Sequence, residues 1–466
     1  MATVVVLGGS LAGLSTAMML AQRGHEVTVL ERDAAAPATK QEGALSWVRP
    51  SIPQQRHSHV LLSRGVHVLR EDLPDVFEDL LAAGSNLVKP FDFLPPAITD
   101  REPSEGIDAI ECLCVRRTVQ DWAVDRAAAR RGIRVIRTTA RGLLLDGSVV
   151  KGVSSDAGSF PADVVIEAGG RRTRTYRWLA EAGISCDEVR SPCGCNYVSR
   201  AYSLAGAPPP GPFNVGFATI AGAKGLTALL FRGDDDTFTA NLQFDAEDKE
   251  LMIARNPAAF TALLMALPGT APWISAATAV TDVSVMAGLD NTSRRLVRDG
   301  TPIVTGLLQV GDSAATTNPT LGRGMSLALT GAQLVARVLD EVSDPGDRLL
   351  ALDELRAEQI DPWVTEAWGI DERSITRTRH ALYGEPALEL PPHALPEEVA
   401  PFTFADRDAW ERNARKAHML THPSTLYDGG DLEARVLAAR EDRPPMPPPP
   451  VSREEYLALA HEAVAV

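Results

Sequence analysis

The 466-residue sequence predicts an α/β protein in which a second, sheet-rich domain is interleaved with a parallel sheet. The uninterrupted apolar run Thr3 to Leu7 is typical of a strand buried on both faces of a parallel sheet. A run of the same kind returns at Thr301 to Val310. Between residues 192 and 289 the pattern changes to short alternating segments with turns at GAPPPGP and GDDD, which predicts a separate sheet.

Composition argues against nucleic acid and membranes as partners. Apolar content of 45% and charged content of 23% are ordinary for a globular protein. The net charge of −15 is unsuited to nucleic acid or anionic lipid, because both require clustered Lys and Arg. No apolar run is long enough to span a bilayer, and ATVVVLGG lacks the basic segment of a signal peptide. Five cysteines, an odd number, fit reduced thiols, so we expect a cytoplasmic protein whose oligomeric state is open.

The first half of the chain alternates strands and helices. The second strand is expected at His25 to Leu30, and residues 33–56 read as a loop. Helices are expected at Leu11 to Gly24, Leu61 to Gly84 and Val115 to Arg131, and short strands over residues 133–170.

The second half contains the inserted sheet and a helical end. A helix is expected at Pro257 to Leu267, another at Met325 to Leu339, and mostly helix beyond residue 350. Arg443 to Pro450 (RPPMPPPP) predicts extended polyproline, as a spacer more than as a ligand for a PxxP-reading module. Asp234 to Asp236 predict a solvated turn more than a cation site.

GGSLAG, Gly8 to Gly13, nearly matches the dinucleotide fingerprint GxGxxG, with Ser10 at the second glycine. Its glycines allow a tight strand-to-helix turn and close helix–strand packing, and the helix N-terminus favours phosphate. Glu31 stands at the end of the next strand, where a ribose-binding carboxylate is expected. The motif predicts a Rossmann-like nucleotide site but does not distinguish NAD from FAD.

A second motif, GDSAATTNPTLGRGMSLAL, follows the strand at Thr301 to Val310. Asp312 would stand at a strand end, where it can accept hydrogen bonds from polyol hydroxyls. Pro319, Gly322 and Gly324 make a turn into the next helix, whose positive N-terminus suits an anionic reduced flavin. This motif favours a flavin.

These motifs and the central AGGRRTR, Ala168 to Arg174, resemble the group A flavoprotein monooxygenases. The resemblance extends over residues 1–345, and QQRHSHVLLSRG and NTSRRLVRDGTPIVTGLLQVGDS are similar to bacterial natural-product members that include epoxidases. It implies a glutathione-reductase-type FAD-binding domain formed by residues 1–75, 106–190 and 290–345. A substrate-binding sheet domain would comprise residues 76–105 and 191–289. Residues 346–466 would form a C-terminal helical region with a Pro-rich tail.

The resemblance also implies cofactor-binding positions. An arginine at the start of the central helix meets the cofactor in relatives and falls on Arg117, with Arg116 the weaker candidate. The full set implied is Gly8, Gly9, Ser10, Gly13, Glu31, Arg32, Arg56, Arg117, Gly311, Asp312, Pro319, Gly322, Gly324 and Met325.

The implied function is an FAD-dependent monooxygenase. It would insert one oxygen atom of O₂, by hydroxylation or epoxidation through a C4a-hydroperoxyflavin, into a small apolar natural-product intermediate. The alternatives are an FAD-dependent dehydrogenase or reductase on the same scaffold and a non-catalytic flavin-binding protein. Many members carry an acidic "DG" where this chain has EAGGRRTR, Glu167 to Arg174, so the NAD(P)H reductant would act directly or through a separate flavin reductase. The halogenase signature WxWxIP is absent, which argues against halogenation.

The segment RHSHVLL, Arg56 to Leu62, contains two histidines that could be metal ligands, part of a cofactor wall or packing residues. The other histidines offer no HExxH-like or paired spacing, so no metal site is predicted. Position in the family places the segment near the flavin, and alternation puts His57 and His59 on one side with Ser58 opposite. We therefore expect at least one of these histidines to line the flavin site.

Two further groups of residues are compatible with a site but also with simple packing. The pairs Cys112/Cys114 and Cys193/Cys195 match zinc spacing poorly and are expected to be small buried hydrophobes. Five apolar residues of the inserted sheet could form the pocket wall, although core packing is favoured; they are Phe213, Phe217, Leu230, Phe231 and Phe244.

Overall fold

The computed structural model of the chain describes residues 1–35, 37, 41–211, 213, 215–441 and 449–465. The strands, in chain order, are β1 (Thr3–Leu7), β2 (Glu26–Glu31), β3 (Val60–Leu61), β4 (Asn86–Val88), β5 (Cys112–Cys114), β6 (Arg134–Arg137), β7 (Ala140–Asp146), β8 (Val149–Ser155), β9 (Gly158–Pro161), β10 (Val164–Glu167), β11 (Asp187–Pro192), β12 (Cys195–Ser203), β13 (Ala218–Ala223), β14 (Leu226–Arg232), β15 (Thr237–Asp245), β16 (Thr278–Ala279), β17 (Ser284–Met286), β18 (Asp290–Arg295), β19 (Val297–Arg298), β20 (Thr301–Pro302), β21 (Leu307–Gln309) and β22 (Ala315–Thr316).

The helices are α1 (Leu11–Gln22), α2 (Ser63–Asp72), α3 (Pro74–Ala82), α4 (Arg117–Arg130), α5 (Thr175–Glu181), α6 (Pro257–Met265), α7 (Ala271–Ala276), α8 (Gly324–Glu341), α9 (Pro345–Gln359), α10 (Asp361–Tyr383), α11 (Arg407–Ala417), α12 (Leu432–Glu441) and α13 (Arg453–Ala465). In the part of the chain that is described, no helix is both long and apolar enough to cross a membrane.

A parallel sheet of order β21-β10-β1-β2-β6 forms the centre of the molecule. The register pairs Val5 of β1 with Thr28 of β2 on one side and with Val165 of β10 on the other. Helices α1 and α8 pack against each other, and their apolar side chains join those of the sheet in the largest hydrophobic core. The predicted α/β, Rossmann-like fold class is confirmed, with β1, α1 and β2 at the expected places.

The predicted strand from Thr301 to Val310 is wrong as one element. The chain turns at Gly306, whose φ is +74°, and only Leu307–Gln309 joins the parallel sheet. A Cβ at Gly306 would lie 2.3 Å from the carbonyl oxygen of Val150, so the turn is held tightly against β8. An apolar run alone could not reveal this break, because the turn depends on contact with a distant strand.

The helix expected at Leu61 to Gly84 is divided. Leu61 belongs to β3, and the helical part breaks into α2 and α3 at Pro74, which occupies the first turn of α3. Proline lacks the N–H that a continuous helix would need at this point. Strands β3, β5 and β4 form a small sheet, and β7, β8 and β9 form an antiparallel meander.

The second large sheet has the order β13-β14-β15-β12-β16, with β17 also paired to β12. Its neighbouring strands are antiparallel and successive side chains point to opposite faces. One face packs on α6 and α7 in a hydrophobic core of its own, and the other faces the parallel sheet. The helix predicted at Pro257 to Leu267 is confirmed as α6, Pro257–Met265.

The five apolar residues weighed as pocket wall divide between the core of this sheet and the cavity. Phe213, Leu230 and Phe244 are buried in its core, as packing predicts. Phe217 and Phe231 line the cavity beneath the sheet. Core packing, which the sequence favoured, therefore describes three of the five residues, and the alternative role as pocket wall describes the other two.

The turn at Asp234 to Asp236 is not the solvated loop predicted. The side chain of Asp234 is fully buried and forms an ion pair with Arg116. Asp236 accepts a hydrogen bond from the backbone N–H of Gly206 at 2.7 Å. The aspartates therefore close a hairpin and tie it to the start of α4.

The region after residue 345 is helical, as predicted, in its described part. Its helices have a small hydrophobic core, and α13 packs on α6 so that Tyr456 and Ala460 join the core of the second sheet. Most of the predicted polyproline segment, residues 443–448, lies outside the described residues. The domain boundaries given above remain a proposal.

Candidate active site

A cavity of about 640 Å³ lies between the carboxyl ends of the parallel strands and the second sheet. Leu7, Glu31 and Glu167, the last residues of β1, β2 and β10, line one side. Ligands of open α/β sheets bind outside the carboxyl ends of their strands. The cavity therefore lies where the fold predicts the nucleotide.

The Gly-rich turn between β1 and α1 packs too closely for side chains at two positions. Gly8 has a φ of +106°, and a Cβ there would lie 2.5 Å from the carbonyl oxygen of Ala168. A Cβ at Gly13 would lie 1.9 Å from the carbonyl oxygen of Gly8. Gly8, Gly9 and Ser10 line the cavity, whereas Gly13 lies behind the turn and permits helix–strand packing.

Helix α1 points its N-terminus at the cavity. Ser10 is the N-cap but its side chain makes no capping hydrogen bond, and Leu11 and Ala12 line the cavity. The first backbone N–H groups of a helix have no intrahelical partner and favour an anion. Arg117 also lines the cavity and donates to Ser10 Oγ at 2.9 Å.

Glu31 is buried and receives three hydrogen bonds. Its carboxylate accepts the N–H groups of Gly9 and Asp33 and a guanidinium N–H of Arg49, each at 2.7 Å. Arg49, which sequence reasoning missed, lies in the long loop after β2 and carries no motif. Arg32 lines the cavity, but Arg56 is exposed and does not.

The distal motif approaches the same cavity from β21. Asp312, Pro319, Gly322, Gly324 and Met325 line it. Burial raises the pKa of Asp312, while the cations of Arg117, Arg171 and Arg294 oppose that shift. Helix α8 begins here with no side-chain cap, so a second helix N-terminus faces the cavity.

Gly311 does not line the cavity. A Cβ at Gly311, whose φ is +63°, would lie 2.9 Å from the Cβ of Ala12. Gly311 therefore allows the distal motif to pack closely against α1, as Gly13 allows close packing in the first turn.

His57 and His59 both line the cavity. Nδ1 of His57 lies 2.7 Å from Ser199 Oγ on β12, and Nδ1 of His59 lies 2.9 Å from the carbonyl oxygen of His57. Burial, with a contribution from the cation of Arg171, lowers the pKa of His57 to about 4. Burial and the cation of Arg117 lower the pKa of His59 to about 3, so both imidazoles are neutral at pH 7.

Ser58 lines the cavity as well, so the predicted alternation across this segment is wrong. Asn241 of β15 donates to Ser58 Oγ, while Ser199, its cross-strand neighbour on β12, contacts His57. Two adjacent side-chain hydrogen bonds therefore attach the segment to the second sheet, and residues 57–59 do not form a strand.

The second sheet supplies an uncharged wall. Between residues 191 and 289, every lining residue is neutral, and most are apolar. They are Cys193, Tyr197, Ser199, Val215, Phe217, Ala218, Ile220, Leu229, Phe231, Asn241, Met286 and Leu289. Asp290, directly after Leu289, is the charged lining residue beside this wall, and the other charged lining residues come from the segments around the nucleotide turn and the distal motif.

The C-terminal region completes the site from two directions. Ala417 and His418, at the end of α11, line the cavity. From α10, Asp371 accepts a hydrogen bond from Asn318 at 2.7 Å, and Asn318 accepts one from Tyr197 at 3.0 Å. No local pattern in the sequence pointed to His418 or Asp371, because only the tertiary fold brings His418 to the cavity and links Asp371, through Asn318, to the lining residue Tyr197.

A metal centre is not formed by the described part of the chain. No group of three or more His, Cys, Asp or Glu side chains there could hold an ion. The five cysteines are free, and all but Cys186 are buried. Burial raises the pKa of Cys195 to about 11, so this thiol is not a nucleophile at neutral pH.

These features fit a flavin dinucleotide. The turn at Gly8 leaves room for a pyrophosphate, and two helix N-termini provide positive ends at separate places along one cavity. The neutral, mainly apolar wall of the second sheet is suited to contact an aromatic ring system, whereas the charged side of the cavity is not. Fold and site together define a flavoprotein of the Rossmann-like class.

Comparisons with known proteins agree with a flavin-binding site. Residues 3–75 match the family model "FAD dependent oxidoreductase". Protein Rv3254 of Mycobacterium tuberculosis (strain ATCC 25618 / H37Rv) is 28% identical over 411 residues, which cover 78% of this chain and 79% of the relative.

Three solved structures share the fold. The flavin-dependent brominase Bmp2 has a TM-score of 0.62 at 16% identity, covering 94% of this chain and 98% of that one. PqsL of Pseudomonas aeruginosa, named a probable FAD-dependent monooxygenase, has a TM-score of 0.59 at 16% identity, covering 82% and 98%. 2-Methyl-3-hydroxypyridine-5-carboxylic acid oxygenase has a TM-score of 0.55 at 15% identity, covering 89% and 95%.

The family match over residues 3–75 supports an FAD-dependent oxidoreductase, and the chain shares its fold with flavin-dependent enzymes that include a brominase and a probable monooxygenase. The predicted resemblance to the group A flavoproteins and the prediction of an FAD enzyme are confirmed at this level.

Proposed function

We propose that the protein is an FAD-dependent monooxygenase that transfers one oxygen atom of O₂ to a small, uncharged and mainly apolar molecule. The observation that carries this proposal is one cavity that joins a dinucleotide turn to a wall whose lining residues between 191 and 289 are all neutral. Bound FAD, once reduced, supplies the activation of O₂. A natural-product intermediate, hydroxylated or epoxidised, is the substrate we expect.

The protein's own residues would bind, orient and exclude water. Gly8, Ser10 and Arg117 are proposed to hold the pyrophosphate and Glu31 the ribose, with Gly9 and Arg32 beside them. Asp312 with the α8 N-terminus would hold the ribityl chain and the flavin ring. Phe217 and Phe231 would cover the substrate from the second sheet. The neutral imidazoles of His57 and His59 can line such a pocket without adding charge.

The reductant is proposed to be NAD(P)H, acting directly or through a separate flavin reductase. Arg171, Arg172 and Arg174 line the cavity, and none has an acidic side-chain partner among the described residues. Three cations beside the nucleotide turn would attract an anionic dinucleotide. Reduction of the holoprotein by NADPH with and without an added flavin reductase distinguishes the two routes.

The experiment that tests oxygen transfer uses the FAD-loaded protein, a reductant, isotopically labelled O₂ and a panel of small apolar aromatic and alkene compounds. The proposal predicts products that carry one labelled oxygen atom. Products oxidised without label would instead indicate a dehydrogenase or reductase. Products formed only when bromide is present would indicate halogenation and would also contradict the proposal.

A further inference from the structure

His418 is the third histidine of the cavity and comes from the C-terminal region. It is buried, with 4% of its surface exposed, and follows directly on α11. Its ring meets the ring of Phe217 edge-on, with the ring centroids 6.0 Å apart. His418 therefore lies against the neutral wall that we assign to the substrate.

Hydrogen bonds fix which nitrogen of His418 carries the proton. Nδ1 lies 2.9 Å from Ser63 Oγ and 3.2 Å from the carbonyl oxygen of Glu111. Ser63 Oγ also lies 2.6 Å from that carbonyl oxygen, which can only accept. The single hydroxyl proton of Ser63 therefore goes to Glu111, and Nδ1 of His418 must be the donor in its own contacts.

Because the proton is on Nδ1, Nε2 of the neutral ring is unprotonated and can accept a hydrogen bond. Burial lowers the pKa of His418 to about 4, opposed by the bond to Glu111, so the ring is uncharged at pH 7. Nδ1 contacts Ser63, the first residue of α2, and the carbonyl oxygen of Glu111, directly before β5, and the His418 side chain also lines the cavity. A neutral nitrogen acceptor in an apolar pocket leaves a hydrogen bond unmade unless a ligand supplies the donor.

We propose that His418 Nε2 accepts a hydrogen bond from an O–H or N–H group of the substrate, which is therefore an uncharged molecule that carries a hydrogen-bond donor, such as a hydroxyl group. The inference rests on the proposed function only in taking this end of the cavity as the substrate pocket. It identifies His418 as a substrate-binding residue. It also gives the C-terminal region a part in specificity.

Two measurements on the FAD-loaded protein test the inference. Nitrogen NMR of histidine-labelled protein should show the Nδ1–H tautomer for His418. Binding of β-naphthol and of its methyl ether, followed through the flavin absorbance, should favour β-naphthol about fivefold, as expected for one hydrogen bond to a neutral acceptor.

His418→Asn is the informative variant, because the amide nitrogen of asparagine can take the place of Nδ1 towards Ser63 while Nε2 is lost. The preference for β-naphthol should disappear in His418→Asn and in His418→Phe. It should persist in His461→Phe, which changes an exposed histidine of α13.

The inference would be overturned by an Nε2–H tautomer, by no preference for β-naphthol in the unchanged protein, or by an undiminished preference in His418→Asn. Failure of both probes to bind would overturn it as well. Failure of the proposed function looks different, because the binding preference requires no oxygen transfer. A holoprotein that shows the preference but yields no labelled product would refute the monooxygenase proposal alone.

Discussion

Arg116 and Arg117 are neighbours in sequence but serve different parts of the molecule. Arg116 lies outside α4 as its N-cap and binds the buried Asp234 with both its backbone N–H and its guanidinium. Arg117, the first residue of the helix, turns to Asp121 and to Ser10 in the nucleotide turn. One arginine joins two sheets, and the other reaches the proposed cofactor site.

Lysine substitutions should separate these roles. Arg117→Lys keeps a cation near Asp121 but loses the second contact of the planar guanidinium, so we expect FAD to bind about tenfold more weakly. Arg116→Lys should lower the free energy of unfolding by about 1–3 kcal/mol, since the bidentate pair with a buried carboxylate is lost. FAD titration and urea unfolding of both variants measure the difference. Equal loss of FAD affinity in the two variants would contradict these assignments.

The buried imidazole of His57 predicts how stability depends on pH. Its pKa in the folded protein, about 4, lies below the value of 6.5 expected when the chain is unfolded. Between about pH 6.5 and pH 4, His57 is protonated in the unfolded chain but stays neutral in the folded protein. Protonation therefore stabilises the unfolded chain, and the free energy of unfolding decreases as the pH falls through this range. The loss from this one histidine is about 1.4 kcal/mol per pH unit in that window.

Urea unfolding at several pH values checks this. His57→Asn, which keeps a polar atom near Ser199, should show a shallower decline in unfolding free energy between pH 6.5 and 4 than the unchanged protein. His461→Asn, an exposed position, should leave the decline as it was. Identical slopes for His57→Asn and the unchanged protein would show that His57 titrates normally when folded.

Individual site residues can be predicted from the sequence only where the backbone conformation requires particular residue types within a short segment. Gly8, Gly13 and Gly311 were recognisable because a turn or a close contact excludes side chains. Arg49 and Asp371 were not, because their partners lie far away in the sequence.

Helix α10 holds the cofactor-side turn between β22 and α8 at both ends. Its Asp371 accepts from Asn318 at 2.7 Å and from Asn291 at 2.6 Å, and its Glu366 pairs with Arg323. All three partners of α10 are buried. The turn that contains Pro319 and Gly322 is therefore anchored at its two ends, Asn318 and Arg323, by two carboxylates of α10.

Neutralising those carboxylates should loosen the turn. Asp371→Asn places an N–H against the N–H donors of two asparagines, which should cost about 1–3 kcal/mol of stability. Glu366→Gln leaves Arg323 and the buried Lys416 without their shared counter-charge, and we expect about 3–5 kcal/mol.

Both variants should also bind FAD more weakly, whereas Glu372→Gln, at an exposed site on the same helix, should change neither property. Urea unfolding and FAD titration measure these effects. Weakened stability with unchanged FAD affinity in both variants would mean that α10 supports the fold but not the cofactor turn.

At the element scale, helices and strands with a clear period were predicted well, as for α1 and α6. Errors arose where a tertiary contact decides the backbone. Gly306 turns the chain against β8, and Pro74 divides a helical stretch whose apolar period continues across it. Asp234 was misjudged because a run of acids predicts solvent exposure unless the buried partner is known.

The whole molecule brings a charged nucleotide side and a neutral sheet together around one cavity. The segment with His57 and Ser58 joins them through Ser199 and Asn241, and the C-terminal region closes the cavity with His418. The sequence predicted the fold class and the interleaving of two sheets, because both follow from hydrophobic patterns. It could not predict that the C-terminal region lines the site.

Oxygen activation is the central claim, and stopped-flow mixing of the anaerobically reduced holoprotein with O₂ tests it most directly. A monooxygenase should return its flavin to the oxidised form through a transient species, with an absorbance distinct from both the reduced and the oxidised states. A ligand held in the neutral pocket should prolong that species by excluding water. Direct reoxidation in a single step, with every reductant and with or without β-naphthol, would contradict the account.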